Sequence, residues 1–173
     1  MISPETTPRP RRLSRNAVRL IALLLIAGVI GAVIASRPTT DPEQLAAQAQ
    51  RYVREFKYED ALRTAEDALQ IVKNGGYPPE YVAKFHLLRG QMWHAVYEWD
   101  FALTDFDTAI ELAPDYPEAY YLRGTFFAGR SELDLALADL QQAVALDPDG
   151  RYAATARAAI ETLERQKEAL NGD

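Results

Sequence analysis

Two histidines, a run of aspartates, one diglycine and a scatter of hydroxyls are the groups in this 173-residue chain with the means to do chemistry. Cysteine is absent, which removes disulfides and thiolate metal sites and leaves the redox compartment open. His86 and His94 stand eight residues apart, about 80° round a helix, so they do not share a face as an i, i+4 metal pair does. Neither is expected to ligate a metal or act as a general base. Asp105 and Asp107 would point roughly 200° apart on a helix, and the spacing has no calcium-loop Gly. Asp100, Asp105 and Asp107 therefore read as a solvated face. Gly75-Gly76 lacks the Lys and flanking strand of a phosphate loop, and no His lies near Ser131 in sequence, although triads assemble in space. No catalytic, cofactor or metal constellation emerges, and no enzyme is expected.

The elements that carry these residues declare themselves by repetition. Ala83–Tyr116 and Pro117–Gly150 are consecutive 34-residue blocks that align without a gap. Gly90 falls on Gly124, Trp93 on Phe127, Ala102 on Ala136, Phe106 on Leu140, Ala109 on Ala143 and Pro114 on Pro148. A fixed period of this length marks stacked helical hairpins. The glycines belong where two helices cross most closely, the alanines allow the facing helix and the next hairpin to approach, and the large residues fill the space beside them. Each proline stops its second helix, since it has no N–H with which to continue it.

This pattern resembles the tetratricopeptide repeat (TPR): aromatic, Gly and aromatic on a first helix, Ala-x-x-x-aromatic on a second, and a closing Pro. The resemblance extends to a degenerate first repeat over 42–75. There Ala49 takes the Gly column, Tyr52 the aromatic column and Ala61 and Ala68 the Ala columns, Ala65 stands at the aromatic position and Lys73 at the Pro. Its helices are expected at about 42–55 and 58–73, with Asp41 as N-cap and Pro42 at the first helical position. An insertion, 76–82, separates it from repeat 2 (83–116) and repeat 3 (117–150). It reads as a longer turn leading into a lengthened helix from Pro79, or as a lip carrying Tyr77 and Tyr81 over the groove. Residues 151–170 form an amphipathic cap, with Ala154, Ala158, Ile160 and Leu163 toward the array.

Ahead of the repeats the composition changes. Residues 1–35 carry five arginines against one glutamate, a balance of +4, whereas the remainder carries fourteen basic and twenty-four acidic residues, a balance of −10. An acidic domain repels phosphate backbones, so no nucleic-acid partner is expected. The segment 1–16 reads as a disordered basic tail, 17–35 as a single transmembrane helix (a signal anchor) and 36–41 as a linker. Leu20–Ala35 has no charged side chain, and Arg19 is placed to snorkel to the headgroups. The arginines before the span predict a cytoplasmic N-terminus and repeats outside a bacterial cell membrane. A cleaved signal peptide, ending at Val33-Ile34-Ala35, is the main rival, and a buried soluble helix is the third reading.

The expected fold is thus all-α, a right-handed superhelical solenoid of three hairpins and a C-terminal capping helix behind one transmembrane helix. The resemblance implies that first helices line a concave groove through block positions 2, 5, 9, 12 and 13. In repeat 1 these are Glu43, Ala46, Gln50, Val53 and Arg54, and in repeat 2 Lys84, Leu87, Gln91, His94 and Ala95. Repeat 3 supplies Glu118, Tyr121, Thr125, Ala128 and Gly129. From these, Gln50, Val53, Arg54, Lys84, Leu87, Gln91, His94, Glu118, Tyr121 and Thr125 are the expected partner-binding residues. The chaperone-tail-binding members of the family hold a terminal carboxylate with Lys and Asn, and here Lys84 stands without the Asn residues. The resemblance implies a membrane-anchored protein-interaction module that binds a peptide or helix of a partner. A structural subunit of a homo-oligomer, or a secreted repeat protein with its signal cleaved, is the alternative.

Overall fold

A computed structural model describes residues 41–171 as seven helices in antiparallel hairpins. The expected tail (1–16), transmembrane helix (17–35) and most of the linker (36–41) lie outside the described residues. Among the described residues no helix is long and apolar enough to cross a membrane. The first hairpin is α1 (Pro42–Arg54) and α2 (Tyr58–Asn74), and the second is α3 (Pro79–Ala95) and α4 (Trp99–Leu112). The third is α5 (Pro117–Gly129) and α6 (Leu133–Leu146), and α7 (Ala153–Asn171) closes the stack.

Local chemistry sets the helix starts. Pro42, Pro79 and Pro117 open the three first helices, where a missing N–H costs nothing. The Asp41 carboxylate accepts from the Glu43 N–H at 3.0 Å, which fills one of the orphan donors of α1. The insertion is absorbed as an extra turn: α3 has 17 residues against 13 in α1 and in α5. Tyr77 stacks on Tyr81 with ring centroids 4.8 Å apart, and Tyr81 is in turn 5.3 Å from Phe85.

Packing follows the small-residue columns. Ala49, Ala61, Ala65, Ala68, Ala102, Ala109 and Ala136 are all fully buried. A Cβ built on Gly90 would come within 2.7 Å of the Phe106 ring, and one on Gly124 within 2.9 Å of Leu140 Cγ. Gly90→Ala should therefore destabilise the domain by about 1 kcal/mol in urea unfolding. Overpacking costs roughly 1–3 kcal/mol, and the ~1 kcal/mol gained in helix propensity offsets part of it. A stabilised variant would show that the helices are free to separate there. α3 divides the interior: Phe85, Leu88 and Met92 pack with the first hairpin, and Ala83 and Leu87 with the second and third.

The turn inside each hairpin contains one left-handed residue, Phe56 (φ 60°), Tyr97 (φ 65°) and Ser131 (φ 62°). Phe56 is 78% and Tyr97 74% exposed, so neither ring recovers the strain by burial. A left-handed residue other than Gly costs roughly 1–2 kcal/mol. Tyr97→Gly should accordingly stabilise the domain by about 0.5–1 kcal/mol, after the extra freedom Gly has in the unfolded chain is subtracted. A lowered melting temperature would mean that the Tyr97 ring, 5.5 Å from Trp99, holds the turn.

The cap is rotated from its expected face. Ala153, Ala156 and Leu163 are buried and Ile160 half-buried, whereas Ala154 and Ala158 are exposed. Tyr152 sets the angle at which α7 enters: its ring stacks on Tyr121 at 4.4 Å and its hydroxyl donates to Glu118 at 2.7 Å.

Candidate functional site: a concave groove on a polar frame

The polar frame comes first, because it decides which charges are free. Arg89 of α3 grips Asp105 of α4 with two hydrogen bonds, Nε to Oδ2 and Nη2 to Oδ1, both 2.8 Å. Its third nitrogen, Nη1, reaches back to Glu66 of α2. His86 Nδ1 lies 2.8 Å from Asp105 Oδ1, and since an ionised carboxylate only accepts, Nδ1 is the donor. One block later Arg123 repeats the arrangement. It holds Asp139 at 2.7 and 2.8 Å and bonds the preceding hairpin's Asp107 at 2.6 Å.

These contacts correct the expected solvated face at Asp105, while Asp100 is exposed and Asp107 half-exposed. Asp105 is 1% exposed and points between the helices. Burial pushes its carboxyl up, but the hydrogen bonds from Arg89 and His86 outweigh this and hold it below the ordinary carboxylate range. Among the described residues no buried side-chain polar atom lacks a partner, and no three His, Asp or Glu side chains are grouped to hold a metal ion.

Above the frame, first helices line a groove with two adjoining cavities. One, of about 160 Å³, is lined by Ala46 and Gln50 of α1, by Lys84, Leu87 and Gln91 of α3 among others, and by Tyr116, Glu118 and Arg151 at its far end. The other, of about 260 Å³, is lined by Gln91 and His94 of α3, Phe106 of α4, and Leu122, Thr125 and Phe126 of α5. Gln91 belongs to both.

The expected groove residues separate into distinct situations. Gln50 and Thr125 are exposed and Gln91 half-exposed, and all three line the cavities. Leu87 is 2% exposed and belongs to the core, so it forms the floor of the first cavity and is not a free side chain. Lys84 is already engaged, its ammonium 2.8 Å from both Glu43 oxygens. That hydrogen bond holds the Glu43 carboxyl below its usual value, and the Tyr81 hydroxyl donates to it as well, at 2.8 Å. Glu118 accepts from Tyr116 at 3.0 Å and from Tyr152 at 2.7 Å. Burial, followed by this bond, pushes the Tyr152 hydroxyl up to about 12. Tyr121 lies against Tyr152, while Val53 and Arg54 line neither cavity. His94 is exposed and sits 5.2 Å from Trp99 and 5.9 Å from Phe126, and the partial loss of water around the ring lowers its pKa.

No protein-family model and no curated protein sequence matches this chain. Solved structures do resemble it. The type III secretion chaperone SycD of Yersinia enterocolitica, in complex with a peptide of the translocator YopD, superposes with a TM-score of 0.61 at 20% identity, over 73% of this chain and 94% of SycD. The TPR2B domain of yeast Sti1, in an Hsp70 complex, gives 0.60 at 20% identity, over 72% of this chain and 97% of that one. The first TPR of Spaghetti (RPAP3), bound to the HSP90 peptide SRMEEVD, gives 0.58 at 17%, over 74% and 94%. The fold is TPR-like.

On that fold, several groove features escaped the sequence reading. Arg151 and Tyr116 line the first cavity from the turns before α7 and α5, outside the block positions that were followed. Phe106, Leu122 and Phe126 line the second; the sequence reading gave Phe106 only a packing role and passed over the other two. A signal for the frame was present. Arg89 and Arg123, like Asp105 and Asp139, recur at one block position, and matched opposite charges on facing helices ask for a pair.

Proposed function

We propose that this chain is a membrane-anchored interaction module that binds a peptide or helix of a partner protein in its concave groove, recruiting or assembling complexes at the membrane. The observation that carries the reading is the convergence of first-helix side chains from all three hairpins on two cavities that share Gln91. Solved structures of the same fold with bound peptides support it.

The proposed partner-facing residues are Gln50, Val53, Arg54, Lys84, Leu87, Gln91, His94, Glu118, Tyr121 and Thr125. Gln50, Gln91 and Thr125 share one block position in successive hairpins and would offer hydrogen bonds to a partner backbone. Leu87 gives the floor, while Lys84, Glu118 and Tyr121 hold the rim through Glu43 and Tyr152. Residues 17–35 are the proposed anchor, with the N-terminus cytoplasmic and the repeats outside a bacterial cell membrane.

Crosslinking pull-downs from native membranes test both halves. A Gln50→Trp, Gln91→Trp double variant, which spares the core, should lose at least tenfold of the crosslinked partner. An unchanged yield sinks the groove reading, and release of the intact chain by an alkaline wash of the membranes sinks the anchor.

A further inference from the structure

The cavity between the second and third hairpins is built differently from its neighbour. Its lining includes no Asp, Glu, Lys or Arg, whereas Lys84, Glu118 and Arg151 all line the other. Its walls are Phe106, Leu122 and Phe126, with Gln91, Thr125 and His94 at the mouth. The Phe126 ring is braced by Phe106 at 6.0 Å, Phe127 at 5.7 Å and Trp99 at 6.1 Å, so the hole is formed before anything enters it. Arg130 lies 5.7 Å over the Phe126 ring and is paired with Glu132 at 2.8 Å.

From this geometry we infer, resting on the groove reading above, that the cavity seats one bulky uncharged side chain, Leu, Ile, Met or Phe, from an extended partner segment whose backbone runs past Gln91 and Thr125. Its volume, about 260 Å³, falls below the ~300–1,000 Å³ of small-molecule sites, which fits a single side chain. Charge complementarity points the same way. A charged side chain entering would leave water and find no counter-charge among the lining residues, and the lowered pKa of His94 keeps that ring toward its neutral form. The Thr125 hydroxyl spends its proton on the Leu122 carbonyl at 2.8 Å, which leaves its lone pairs to accept from a partner N–H.

The test is selection of a phage-displayed random dodecapeptide library on the purified full chain, followed by affinity measurement on end-capped synthetic copies. Selected peptides should share one Leu, Ile, Met or Phe position, at which Ala weakens binding about tenfold and Asp about a hundredfold. Thr125→Trp plugs the mouth from an exposed position and should abolish binding with an unchanged helical spectrum, while Thr125→Ser retains it. Peptides that need a charged residue at the shared position overturn the inference. So do peptides lost with Gln50→Trp but indifferent to Thr125→Trp, and these would leave the groove reading standing. Peptides indifferent to both variants, or an empty selection, overturn the two together.

Discussion

Arg89→Ala destabilises the domain by about 3–5 kcal/mol in urea unfolding at neutral pH, the cost of leaving a buried charge without its partner. Asp105 has 2% of its side chain exposed and receives two of its hydrogen bonds from Arg89. His86 alone remains to hold it after the substitution. The same change at Arg123 leaves Asp139 without either of its guanidinium bonds and should cost at least as much. Replacing the whole buried set, Arg89→Met and Asp105→Leu with His86→Phe so that no Nδ1–H is left unpaired, should recover most of the loss, because an apolar cluster of similar volume is often neutral or better. The pH dependence has a definite sign. The folded carboxyl of Asp105 sits below its ordinary value, so its contribution is complete above the unfolded pKa of about 3.9. It is lost as pH falls through the folded value. Asp105→Asn should flatten that acid limb of the urea midpoint measured from pH 2 to pH 6. An Arg89→Ala loss below 1 kcal/mol would mean that water reaches Asp105 and the frame is not buried in solution.

Phe106→Ala is the second large effect, also about 3–5 kcal/mol, the usual cost of emptying a buried aromatic site. Phe106 is 2% exposed, closes the crossing against Gly90 and contributes a wall of the second cavity. The informative part is its coupling to Gly90. In the intact chain Gly90→Ala destabilises, whereas behind Phe106→Ala the added methyl has room and its helix propensity, ~1 kcal/mol better than Gly, should make it stabilising. A double-mutant cycle that shows no change of sign would place the cause of the glycine elsewhere.

The architecture was legible because packing at a helix crossing leaves a sparse, periodic record. Gly90 and Gly124, Ala102 and Ala136, and the aromatics beside them recur at one spacing, since each must meet the same neighbour in each hairpin. The described helices Pro42–Arg54 and Tyr58–Asn74 lie within a residue of the expected spans for the same reason: Pro, Asp and Gly mark ends locally. Polar partners leave no such mark when one charge is considered alone. Asp105 looks like any exposed aspartate until Arg89 is set opposite it, and Lys84 looks free until Glu43 is set beside it. The cavity walls were hidden for a related reason. Helical periodicity says that Phe126 faces inward, but whether the space beyond its ring is filled depends on the facing side chains.

The bridges from Arg89 to Glu66 and from Arg123 to Asp107 tie each later hairpin to the one before it. In the first hairpin Gln48 and Thr64 stand at the corresponding block positions, and Thr64 bonds only its own helix, at the Asp60 carbonyl. α1 is joined to α3 instead by the exposed Lys84–Glu43 pair, of a kind worth at most ~1 kcal/mol, and by the Tyr81 hydroxyl. Load arriving through the backbone at Asp41 would therefore meet the least riveted hairpin first. Under tension the array should peel from this end in steps, α1 yielding first while α2, bridged to Arg89 through Glu66, and the later hairpins hold. In an optical trap that order would appear as a low-force rip preceding a larger one, so the domain would behave as a graded spring rather than a single latch.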